Sequence, residues 1–116
     1  MSIRFFPSHL FNALEGIIWK DKIMQNSEFE WDDDKAENNL KKHNVDFEEA
    51  ATIFNDPNVA KISDPDHSED EERYVSIGKS VIMRLLTVIH TYRKERIRLI
   101  SARKATKAEK KKYENK

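Results

Sequence analysis

The residues best suited to chemistry are arginines late in the chain. Arg96-Ile97-Arg98-Leu99 alternates guanidinium with aliphatic side chains. In a strand this pattern buries Ile97 and Leu99 and holds Arg96 and Arg98 on the opposite face. A row of guanidinium groups on a sheet suits a polyanion, because each planar fork can grip anionic oxygens at two points. His43, with its near-neutral pKa, fits the role of general base or acid. It fits better still a histidine satisfying a carbonyl at a helix C-terminus or packing beside Leu40. Tyr92, Tyr113 and Glu109 are further candidates for moving a proton. Asp64, Asp66, His67, Glu69 and Asp70 carry oxygen and imidazole donors but lack an EF-hand glycine or an HExxH spacing. They read as a solvated acidic loop, and no metal or cofactor is expected. There is no Gly-rich phosphate loop and no GxSxG. The chain has no cysteine, which excludes disulfides, thiolate metal sites and a thiol nucleophile.

Several elements must position these groups. Residues 85–91 are apolar at nearly every position, as in a central strand covered on both faces. Residues 92–95 are short enough to connect them by a hairpin to the strand that carries Arg96 and Arg98. Residues 73–79 alternate like a further strand, and residues 59–62 fit a short one. Phe29-Glu30-Trp31 suits a short edge strand. Asp32 or Asp33 can cap a helix over 35–43, with Asn44 as its left-handed end. Asp46 caps a second helix, with Glu49 as capping-box partner and an apolar stripe of Phe47, Ala50, Ala51 and Phe54. The two helices form a compact αα-hairpin, which Asp56-Pro57 ends. Thr106 and Glu109 form a capping box for a last helix running to about Tyr113. The expected fold class is α+β: an N-terminal strand and αα-hairpin packed on a three- to four-stranded antiparallel sheet, then a C-terminal helix.

With 116 residues the chain has room for one modest core. Its net charge of zero hides an asymmetry. Residues 28–72 hold 16 acidic and 4 basic side chains, whereas residues 93–116 hold 11 basic and 3 acidic. No apolar run approaches the roughly 20 residues of a membrane span, so no membrane contact is expected. Cysteine-free composition fits a reducing cytoplasm. Residues 1–26 differ in character from residues 27–116 and read as an N-terminal extension. Ser8 fits the cap of a helix over 9–19 with Leu10, Leu14, Ile17 and Ile18 on one side. Residues 1–23 are expected to be dispensable, with Met24 as an alternative start.

Longer motifs add a resemblance. Phe29-Glu30-Trp31-Asp32 with Lys35 and Asn39, Lys42-His43-Asn44-Val45-Asp46-Phe47-Glu48-Glu49-Ala50 and Phe54-Asn55-Asp56-Pro57 resemble the first half of BrnT toxins. The pattern resumes at Glu72-Arg73 and Ile77-Gly78. It closes with Thr91, Arg93, residues 97–103, Ala105-Thr106, Glu109 and Tyr113. Asn44 stands where the family usually has glycine, and His90-Thr91-Tyr92 where it more often has Tyr-Thr-Glu. The resemblance implies a RelE-like fold and a type II toxin, a ribonuclease that blocks translation. It also implies a BrnA-like antitoxin with a ribbon-helix-helix part, and operator DNA reached through the antitoxin complex.

Metal-independent RNA cleavage needs a base for the 2′-hydroxyl, positive charge at the phosphorane-like transition state, and an acid for the leaving oxygen. On that chemistry Arg73 and Arg103 are the expected transition-state stabilisers, with His43 and Tyr113 as proton carriers. Arg96, Arg98, Lys104 and Lys107 are the expected RNA contacts. The alternative is a non-catalytic module that binds nucleic acid and antitoxin and acts as a co-repressor.

Overall fold

The computed structural model describes residues 3–7, 28–63 and 72–115. Strands β1 (Ile3–Pro7) and β2 (Glu28–Asp32) precede helices α1 (Asp33–His43) and α2 (Phe47–Ala51), the latter followed by a 3-10 turn (Thr52–Asn55). Strands β3 (Ala60–Ser63), β4 (Tyr74–Lys79), β5 (Leu85–Arg93) and β6 (Arg96–Lys104) follow, then helix α3 (Lys107–Glu114). The α+β class stands, but the sheet is larger than expected. It has six strands in the order β1-β2-β6-β5-β4-β3. It is also mixed, because β2 runs parallel to β6 while its other pairings are antiparallel. Phe29 to Trp31 therefore lie in an inner strand, between β1 and β6, and not at an edge. Part of the expected extension, Ile3–Pro7, is a strand paired with β2; the helix expected over 9–19 lies outside the described residues.

The helical caps form where local chemistry places them. Asp32 accepts from the Asp34 and Lys35 amides, and Asn44 closes α1 at φ 57° with its N–H on the Leu40 carbonyl. Asp46 accepts from the Glu49 amide, but Glu49 does not return the bond. Its carboxylate goes instead to Arg84 and Ser80 across the fold. α2 is one short turn because Thr52 to Asn55 tighten into the 3-10 turn, which still buries Ile53 and Phe54.

The core lies between the sheet and the helical hairpin. Phe29, Trp31, Phe47, Ile53, Leu86, Val88 and Leu99 are its large, fully buried members. Asn39 closes one gap in the hydrogen-bonding. β2 pairs with β6 only along Arg96 to Arg98, so the following edge of β6 needs another partner. Asn39 Nδ2 donates to the Ala102 carbonyl at 2.8 Å and to the Val45 carbonyl at 3.0 Å, while its Oδ1 accepts from the Ala102 amide at 3.1 Å. A single amide side chain thus substitutes for a strand and ties α1 to the sheet.

His90 is fully buried in the same layer. It stacks with Tyr74, meets Phe54 and Tyr92 edge-on, and shares a 2.7 Å hydrogen bond with Ser76 through Nε2. Burial, with the charge of Lys61 adding to it, pushes its pKa down from 6.5 to about 4. The folded imidazole thus stays neutral to about pH 4, whereas the unfolded one takes a proton from about pH 6.5. Proton uptake favours the unfolded chain, so stability is present above pH 6.5 and is lost as pH falls towards about 4. Urea midpoints across that window should show the decline, and His90→Gln should flatten it. An unchanged slope would assign the acid sensitivity to another group.

Candidate active site

The two faces of the sheet differ. Cross-strand partners share a face, so the register assigns sides. One face, with Leu86, Val88 and Ala102, carries α1 and α2. The other face carries Ile77, Thr87, Ile89, Thr91, Arg98, Ser101 and Arg103, and Glu109 of α3 bonds to it through Thr87. Arg98 and Arg103 share a face only because of a bulge. Strict alternation would set positions 98 and 103 on opposite sides. The β5–β6 register shifts at Ile89/His90, with Ile100 as the extra residue of β6, and the shift rotates Arg103 round to the side of Arg98.

At one end of this face Arg103 forms a two-point grip on Glu109. Nη1 donates to Oε1 at 2.7 Å and Nη2 to Oε2 at 2.8 Å. Glu109 also accepts from Thr87 Oγ1 and from the Thr106 amide, completing the capping box. The Arg103 contacts above all, helped by the Thr106 and Thr87 bonds, hold the Glu109 carboxyl down at about 2. It is therefore ionised at neutral pH and is not a proton donor there. Arg103 remains charged and partly exposed. Its Nε–H and one Nη2–H are not used by these bonds.

The other end lies four residues along β5, roughly 13 Å away. Here Thr91 pairs with Arg98, and Arg93 with Arg96. Arg98 reaches Glu30 at 3.5 Å, and both side chains are mostly buried. The expectation of an openly projecting Arg98 is thus corrected: its charge faces a carboxylate. Thr91 Oγ1 donates to the Glu72 carbonyl, which pins the segment entering β4 against this rung. Arg73 follows immediately. It is half-buried, and its Nε is buried without a hydrogen-bond partner. A desolvated donor of this kind is costly unless a ligand supplies the acceptor.

The remaining expected residues are placed elsewhere. Tyr113 lies one turn beyond Glu109 on α3, but its hydroxyl donates to Asp56 Oδ2 at 2.7 Å. Burial and the Asp56 carboxylate raise its pKa to about 12. His43, in the last turn of α1, makes no contact with Arg73, Arg103 or Glu109. Lys104 and Lys107 are exposed at the junction of β6 and α3. Arg96 is partly exposed at the hairpin end. Sequence reasoning missed Thr87 and met Thr91 only through the family resemblance, without a role; the two anchor the ends of the face. Their signal was the two-residue step along Thr87, Ile89 and Thr91, hidden by the apolar neighbours. The acidic loop at 64–71 lies outside the described residues. Among the described residues, no three His, Asp or Glu side chains cluster as metal ligands would, and no helix is long and apolar enough to cross a membrane.

Fold and site together define a small α+β domain whose sheet face opposite α1 and α2 carries arginines at both ends. A family model described as the ribonuclease toxin BrnT of type II toxin-antitoxin systems matches residues 31–109, and the chain belongs to that family. A crystal structure of the Brucella abortus ribonuclease toxin BrnT is similar at 24% identity, covering 66% of this chain and 94% of that one with a TM-score of 0.49. Comparison with curated proteins gives no match.

Proposed function

We propose that this chain is an endoribonuclease that cleaves RNA without a metal, inhibits translation in the cytoplasm and is neutralised by a BrnA-like antitoxin. The observation that carries the site is the buried, unpartnered Nε of Arg73, at the entry to β4. Arg73 takes the oxygens of the reacting phosphate. Arg103, held rigid by Glu109, offers its remaining N–H groups to the adjacent backbone. Arg96, Lys104 and Lys107 extend the contact to neighbouring phosphates. His43 and Tyr113 remain the proposed proton carriers, and each must leave its present setting or be reached by the substrate to act. The test is incubation of purified protein with RNA in EDTA. Cleavage that persists in EDTA supports the proposal, and cleavage abolished by EDTA contradicts its metal-free chemistry.

One observation favours a second reading, a binding module that co-represses its operon. The proton-transfer candidates of α3 are engaged: Glu109 in four hydrogen bonds and Tyr113 on Asp56. Salt-sensitive RNA binding without cleavage would select it.

A further inference from the structure

The strand β3 ends the sheet. Its residues pair with β4 on one side, and among the described residues no strand pairs on the other. Edge strands offer a row of backbone donors and acceptors to any extended chain. Beside this edge lies a groove of about 550 Å³, between β3 and the C-terminal end of α3. Its floor is apolar, from Val59, Ala60 and Ile62, with the buried Ile77 beneath them. Ile62 is 40% exposed at this edge. The rim is cationic, from Lys111 and Lys112 of α3. Both lysines are exposed, and neither has a carboxylate partner among the described residues. The half charge at the helix C-terminus does not cancel two full ones. Lys61 contributes its stem, while its ammonium is occupied by Tyr92 Oη and two tyrosine rings.

We infer that the β3 edge and its lysine-rimmed groove receive an extended acidic peptide, which adds a seventh strand, places alternate aliphatic side chains beside Ala60 and Ile62, and sets carboxylates against Lys111 and Lys112. Backbone pairing supplies affinity, and the groove supplies the choice of side chains. An apolar floor favours a peptide over RNA, which would need stacking rings or guanidinium forks there. The occupant is assigned to the antitoxin, and so it rests on the partner that the toxin-antitoxin family implies.

The experiment is an NMR titration of the full chain with a synthetic peptide alternating valine and glutamate, and with its valine–lysine counterpart. The acidic peptide should shift amides of Ala60 to Ser63 and Lys111 to Asn115 and protect the β3 amides from exchange. Lys111→Glu/Lys112→Glu should weaken binding by roughly tenfold or more at low salt. Ile62→Glu should weaken it comparably, and both changes are at exposed positions that leave the core intact. Equal binding of the basic peptide, shifts confined to other surfaces, or an RNA oligonucleotide displacing the peptide from β3 would overturn the inference. The titration requires no ribonuclease activity, so its failure and the failure of the enzymatic proposal are separate results.

Discussion

Arg73→Ala combined with Arg103→Ala should reduce RNA cleavage by about 100- to 1,000-fold or more, the usual loss when a preorganised transition-state donor is removed. Expression of the double variant should no longer arrest growth. The two single changes should differ in kind. Arg73 has a buried Nε with no partner, so truncating it removes a desolvated donor and disturbs few bonds. Arg103→Ala also breaks the grip on Glu109 and leaves its carboxylate beside Thr87 with less compensation. Some of its effect should therefore appear in melting temperature as well as in rate. Arg73→Lys is the informative control. Lysine keeps the charge but loses the planar fork, so a two-point grip on phosphate predicts a loss close to that of alanine. Full activity of Arg73→Lys would reduce Arg73 to a point charge. Full toxicity of the double variant would remove both residues from the site.

Asn39→Ala should cost about 3 kcal/mol of stability. It strips partners from the Ala102 amide and carbonyl and from the Val45 carbonyl, all buried, and a buried polar group left unsatisfied costs roughly 1–3 kcal/mol. Alanine's better helix propensity returns only about 0.5 kcal/mol. The melting temperature should fall by roughly 10 °C or more. Asn39→Asp separates hydrogen bonding from packing. It is nearly isosteric, yet it loses both donors and turns a charge towards two carbonyls. It should be worse than alanine at neutral pH and recover partly in acid. If both variants melted like the parent, the edge of β6 would have another source of satisfaction.

These two residues also show how far sequence reasoning reaches. Asp32, Asn44, Asp46 and Thr106 were readable as caps because each acts within three or four positions of itself. β5 and β6 were readable from alternation and apolar runs. The hairpin turn was located but not its form: Lys94 and Glu95 both take positive φ, at 49° and 68°. Glycine or asparagine would have announced such a turn. Long-range features had no local signature. Nothing near Phe29 says that it pairs with Ile97. Nothing in the alternation of β6 announces the bulge that moves Arg103 to the side of Arg98. Glu49 reads as a capping-box partner, yet Arg84 claims its carboxylate. Tyr113 matched the helix pattern, and only the fold brings Asp56 to its hydroxyl.

The parallel pairing of β2 with β6 has a bearing on synthesis. Glu30 and Arg98 stand 68 positions apart, and the connection can form only after β6 has left the ribosome. Closing so long a loop is entropically costly and slow compared with forming the β5–β6 hairpin or the helical pair. Of the two strands that flank β2, β1 is made before it and β6 long after, so β2 must wait for its parallel partner. The bulge sets Arg98 and Arg103 on their common face within the early hairpin, but Arg98 does not meet Glu30 until that late step is complete.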